Sequence, residues 1–194
     1  MIYPDQFIPV LEKNGYVIDV DNFIWNKVCA CIKMMEDKGI EPVPISVNVS
    51  RMHVYQEKFT ENLKNMAGEY GIDPKYIPLE ITESAFTKEE GSLFKKVQSL
   101  QGYGFKFSMD DFGSGYSSLG MLKSERVDEV KIDKTFVDDI ATDKGKVLLG
   151  NVIRMINELG IDMIAEGVET KEQADFLKEN GCMYAQGYYY YKPM

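Results

Sequence analysis

The 194-residue sequence predicts an α/β fold of parallel β–α units. Three observations predict it. Short apolar runs alternate with amphipathic stretches at helical spacing, the pattern of strands joined by right-handed helical crossovers. The runs are apolar on both faces, as in a sheet covered on both sides. A polar side chain recurs near the C-terminal end of each run, the edge where such folds build their sites.

The chain opens on a loop and a short helix, Tyr3 to Glu12, ending near Gly15. Asp19 or Asp21 can cap a long helix through about Asp37, which Gly39 stops. Its apolar positions Ile24, Val28, Cys31, Ile32 and Met35 recur at helical spacing. Val43 to Val49 reads as the first strand, and a helix from about Gln56 to Tyr70 ends at Gly71. Strands follow at Tyr76 to Thr82, Gly104 to Asp110, Val127 to Asp133, Asp162 to Ala165 and Tyr184 to Tyr189. Between them lie helices near Lys88 to Gly102, Ser117 to Lys123, from Thr135, Lys144 to Leu159 and Lys171 to Asn180. Six strands fit either a closed (β/α) barrel, which needs eight, or an open doubly wound sheet. Periodicity leaves both open.

The length fits one domain, residues 1–194, with a sizeable core. A formal net charge of −9, Lys+Arg 22 against Asp+Glu 31, disfavours a sequence-independent binder of nucleic acid or anionic membranes, both of which need a basic face. No apolar run is long enough to span a bilayer, and no signal-peptide pattern begins at Met1. Cys29, Cys31 and Cys182 form no framework spacing and read as reduced thiols of a cytoplasmic protein. With His53 as the single histidine, a histidine-based triad or zinc site is disfavoured. The run Tyr188 to Tyr191 reads as ordinary strand-end burial.

The informative regularity is polar. Asn48 lies in Val47-Asn48-Val49-Ser50, and Glu80 and Glu83 in Leu79-Glu80-Ile81-Thr82-Glu83. Asp110 and Asp111 end the third strand. Lys131 and Asp133 end the fourth, Glu166 and Glu169 follow the fifth, and Gln186 lies in the sixth. A buried salt-bridge network would set several carboxylates against one lysine, an unpaired burden. A cation site explains the set better. Adjacent strand residues face opposite sides, but at a strand end Asp110 and Asp111 can turn to one site. Two carboxylates forced together repel unless a cation holds them. The plain alternative for this pair is one loop carboxylate and one helix cap. Asn48, Glu80, Asp110 and Asp111 offer only oxygen ligands, which suits Mg²⁺ or Mn²⁺. Lys131 among them can orient or deprotonate a water, and two metals would suit phosphoester hydrolysis. Asp111-Phe112-Gly113 also reads like a kinase triplet. Without a glycine-rich phosphate loop or a His-Arg-Asp loop before it, kinase is rejected.

Seven segments together closely resemble the EAL domain family of bacterial cyclic di-GMP phosphodiesterases. They are Phe7-Ile8-Pro9, Val47 to Ser50, Leu79 to Ser84, Asp110 to Leu119, Lys131-Ile132-Asp133, Ala165 to Thr170 and Gln186-Gly187-Tyr188. The resemblance implies a TIM-type (β/α) barrel and hydrolysis of cyclic di-GMP to pGpG with Mg²⁺ or Mn²⁺. It implies Asn48, Glu80, Asp110 and Asp111 as metal ligands, with Asp110 bridging, and Lys131 on the water. Glu166 would sit at the metal and substrate edge. Glu169 and Gln186 would support the guanine side, with Asp133 also in support. Glu83 would brace the loop after Asp111, through which the family can form a homodimer.

The family's Glu-Ala-Leu triplet on the first strand and its final helix have no counterpart in this sequence. The barrel is therefore expected to be incomplete, a single EAL-like domain truncated at both ends, with little or no turnover. The alternative is a degenerate EAL domain acting as a non-catalytic cyclic di-GMP sensor or protein-interaction module.

Overall fold

The structure, a computed structural model, describes residues 4–83, 85, 90–113, 122 and 127–192. The chain divides into two compact units, Met1–Ile81 with Lys88–Phe107 and Thr82–Thr87 with Ser108–Met194. The helix expected near Ser117 to Lys123 lies outside the described residues except at Leu122, as does the start of the helix expected from Lys88.

In the first unit, α1 (Pro4–Asn14) leads through Gly15 into α2 (Val17–Asp37). The start of α2 corrects the expected cap. Tyr16 holds the cap position, Asp19 sits in the first turn where its charge suits the helix dipole, and Asp21 lies inside the helix, buried. The apolar stripe is also rephased. Val17, Asp21, Trp25, Cys29 and Ile32 are buried, whereas Ile24 is 45% exposed and Val28, Cys31 and Met35 are half-buried. Apolar residues stand on two sides of this helix, and its packing partners choose between them. Burial pushes the Cys29 thiol up to about 11.

Strand β1 (Val47–Asn48) is shorter than the expected Val43 to Val49, but its pairing extends beyond it. Ile45, Val47 and Val49 donate in turn to the carbonyls of Tyr76, Pro78 and Glu80. β2 (Leu79–Thr82) pairs with β1 in parallel, with Asn48 opposite Glu80. Tyr76, expected to begin that strand, instead ends a 3-10 turn, Pro74–Tyr76, whose start is capped by the Asp73 side chain accepting from Lys75 N. A 3-10 turn, Arg51–Tyr55, precedes α3 (Phe59–Tyr70). Gly71 ends α3 at φ 65°, a left-handed cap that favours glycine. α4 (Glu90–Gln101) follows. Leu63, Leu79, Ile81, Leu93 and Leu100 are fully buried in this unit.

The second unit carries β3 (Phe107–Phe112) from Ser108 onward, then β4 (Glu129–Ile132), β5 (Asp162–Ala165) and β6 (Tyr184–Ala185). These strands lie side by side in sequence order, all parallel. Among the described residues, α5 (Lys134–Asp138) and α6 (Asp143–Glu158) lie between β4 and β5, and α7 (Lys171–Glu179) between β5 and β6. Strand β3 begins and ends later than expected, so both aspartates lie within it rather than at its end. Strand β6 is shorter than the expected Tyr184 to Tyr189. The chain turns at Gly187, where a Cβ would lie 2.1 Å from the Val168 carbonyl oxygen.

Helix α7 starts with a capping box. Gln173 N donates to Thr170 Oγ1, and Thr170 N donates to Gln173 Oε1. Replacing such a cap by alanine costs about 1 kcal/mol. Thr170→Ala is therefore expected to lower the unfolding free energy by about that amount, read as a lower urea midpoint with an unchanged m-value. An unchanged midpoint would show that Gln173 alone holds this helix start.

Candidate functional site

The site in the second unit is built on one irregularity. Met109 pairs with Val130 and Phe112 with Ile132, so β3 uses one residue more than β4 over the same span. The bulge falls on Asp110 and Asp111, and Asp111 is the single described non-glycine residue with positive φ, at 57°. Aspartate tolerates this left-handed conformation better than most residues. Bulges bend a strand and re-aim its side chains, so two sequence neighbours no longer face strictly opposite sides.

Lys131 of β4 is the cation of this cluster. Its Nζ lies 3.4 Å from Asp110 Oδ1 and 2.5 Å from Glu166 Oε1, and its side chain is 7% exposed. Gln186 Nε2 donates to Glu166 Oε1 at 2.6 Å. Three successive strand ends are thus tied through Glu166. Asp110 Oδ1 is buried and accepts no hydrogen bond. Partial burial of Asp111 pushes its carboxyl above the usual range; the charges of Asp110 and Asp133, and more weakly Glu83, push the same way, against the pull of Lys131.

Glu83 is buried, and its Oε2 accepts from Gly113 N at 3.3 Å. A Cβ on Gly113 would meet the Phe136 ring at 1.9 Å. Asp133 turns to its own helix, accepting from Thr135 N at 2.9 Å. Glu169 pairs with Lys134 at 2.6 Å. A cleft of about 740 Å³ opens beside this cluster, lined by Lys134, Glu166, Glu169, Gln186, Tyr188 and Tyr191 among others. Tyr188 and Tyr191 are 58% and 70% exposed, which corrects the expectation that the tyrosine run is buried. The chain leaves β6 before reaching them.

In the first unit, Asn48 and Glu80 stand opposite each other on paired strands, Asn48 exposed and Glu80 buried. Among the described residues, no three His, Cys, Asp or Glu side chains converge to hold a metal ion. The buried Asp110 oxygen without a hydrogen bond, next to a second carboxylate in a left-handed bulge, nevertheless fits a hard cation.

Sequence reasoning missed Lys134 and Gln173. Gln173 Oε1 accepts from Glu169 N and its Nε2 donates to Asp138 Oδ1, so it ties the segment after β5 to α5. The Thr170-x-x-Gln173 spacing was the available signal. It missed Asp21 and Trp25 as well, because neither lies on a strand.

Removing Lys131 would strip its cation from a largely buried Glu166. Breaking a fully buried pair costs about 3–5 kcal/mol; with Glu166 18% exposed, Lys131→Met is expected to cost about 2 kcal/mol by the same reasoning. Adding Glu166→Gln should recover part of that loss in urea denaturation with EDTA present. Strictly additive losses would show that the two side chains are not coupled.

Residues 1–193 match the EAL domain family. The chain is 34% identical over 192 residues to the oxygen sensor protein DosP of Escherichia coli strain K12, covering 98% of this chain and 24% of DosP. It is 34% identical over 194 residues to the probable cyclic di-GMP phosphodiesterase PdeG of the same strain, covering 100% of this chain and 38% of PdeG. It therefore spans well under half the length of either relative. Among solved structures, the c-di-GMP complex of PaMucR phosphodiesterase matches with a TM-score of 0.93 at 30% identity, over 100% of this chain and 78% of that one. The expected parallel α/β fold is thus that of solved EAL domains. With the family match running from the first helix to the last strand and beyond, this chain belongs to the EAL domain family.

Proposed function

We propose that this chain binds cyclic di-GMP in the cytoplasm and slowly hydrolyses it to pGpG with Mg²⁺ or Mn²⁺. The observation that carries the reading is the β3 bulge, which sets the buried, unbonded Asp110 oxygen 3.4 Å from Lys131. The names of PdeG and of PaMucR phosphodiesterase point to the same substrate and reaction. The free cysteines suit a reducing compartment.

Asn48 and Glu80 in the first unit, and Asp110 and Asp111 in the second, are each read as ligands of divalent cations, which when bound would supply Lewis acidity toward the phosphodiester. Lys131 orients the attacking water, and Glu166 holds the Lys131 ammonium in place. Gln186 fixes Glu166 from the other side. The cleft beside Glu166 offers Tyr188 and Tyr191 as flat apolar faces for a nucleobase and Lys134 as a cation for phosphate. One water is added across one P–O bond, which opens the ring to the linear dinucleotide. A homodimer through the loop after Asp111 belongs to the same proposal.

Incubation with cyclic di-GMP and Mn²⁺, followed by chromatography, tests this. Slow pGpG release is expected, reduced by about 100-fold in Asp110→Asn, as loss of a charged ligand at a metal-assisted centre implies. Calorimetric binding of cyclic di-GMP without product would replace this reading with the sensor. Neither binding nor product would overturn both.

A further inference from the structure

The first unit contains a buried polar cluster that the proposed reaction does not use. Asp21, Trp25 and His53 are 7%, 2% and 1% exposed. His53 Nε2 lies 3.1 Å from Asp21 Oδ2, although it makes no hydrogen bond of good geometry. The His53 ring stands 4.5 Å from Trp25 and 5.5 Å from Phe59. The chain's single tryptophan and single histidine are thus packed against one another, with their rings tilted by 35°.

Among the described residues, two side-chain hydrogen bonds leave this cluster, and both end on the segment that carries Asn48. Trp25 Nε1 donates to the Asn48 carbonyl oxygen at 3.0 Å. Ser50 N donates to Asp21 Oδ2 at 3.1 Å. They fill a need set by the strand. Val47 N and Val49 N bond to β2, so the backbone groups of Asn48 face away from β2 and require another partner. β1 is two residues long and contributes little rigidity of its own. The helix grips it on both sides of Val49, through side chains that are themselves locked by burial.

We infer that Asp21 and Trp25 are positioning residues that set the orientation of Asn48, and through it the divalent-cation affinity of Asn48 with its neighbour Glu80 in the same unit. The inference rests on the reading of Asn48 as a metal ligand. Residues that orient a ligand are worth roughly 10–100-fold in metal affinity. A purely structural role would lower the melting temperature and leave that affinity unchanged.

Calorimetric titration of the full chain with Mn²⁺ alone, paired with thermal melts, separates the two. Trp25→Phe keeps an aromatic ring and removes the indole donor, with a loss of buried ring volume that the thermal melt reads. It is expected to weaken Mn²⁺ binding about tenfold. Asp21→Leu should weaken it similarly, and Asp21→Asn, which keeps an oxygen for Ser50 N, should restore it. Leu63→Val, a fully buried change in the same unit, should lower the melting temperature without moving the affinity. Wild-type Mn²⁺ affinity in Trp25→Phe, or an equal loss in Leu63→Val, would overturn the inference alone. No Mn²⁺ binding by the wild-type chain would overturn the metal reading as well.

Discussion

One extra residue in β3 is the constraint on which the candidate site depends. In a regular strand Asp110 and Asp111 would project to opposite faces. The bulge against β4 and the left-handed Asp111 break that alternation. Space is reserved around the same point. Gly113 gives the Phe136 ring room to pack where any side chain would collide, and Glu83 holds the Gly113 amide. An irregularity of this kind costs local pairing. The surrounding strands and caps hold it in place.

Electrostatics follow from that geometry. Burial disfavours a charged carboxylate and neighbouring carboxylates add to the cost, and both push the Asp111 carboxyl up. Lys131 offsets part of it and is drawn to Glu166 more closely than to Asp110. Gln186 completes the tie. A second layer lies further out, where Lys134 joins Glu169 and Gln173 fixes the Glu169 amide. The cluster is acidic at its centre with an oxygen left unbonded, an arrangement that favours a hard cation.

The first unit solves a different problem. Its β1 is short, so the residue it presents must be fixed from outside the strand. The buried stripe of α2 does this with polar groups as well as apolar ones, placing Asp21 and Trp25 one helical turn apart on the face turned inward. Their bonds to Ser50 and Asn48 satisfy backbone groups that the two-residue strand leaves open. The same packing explains why Ile24 is exposed although it is more apolar than the buried Asp21.

Alternating apolar runs and helical stretches determined the parallel α/β class, because burial on two faces leaves a period that a sequence must carry. Glycine after a helix marked its end at Gly71 for the same local reason. That polar residues from Asn48 to Gln186 recur on or just after the strands was also legible, since each lies beside its own apolar run. What only the tertiary structure decided involves choices between alternatives of similar local energy. The phase of α2 depended on which of two stripes found partners. The fates of Asp110 and Asp111 depended on a register shift against β4 that no local signal encodes. Tyr188 and Tyr191 line a cleft instead of a core because the chain leaves β6 at Gly187. The paired aspartates were visible as a motif, but the bend that re-aims them comes from the neighbouring strand.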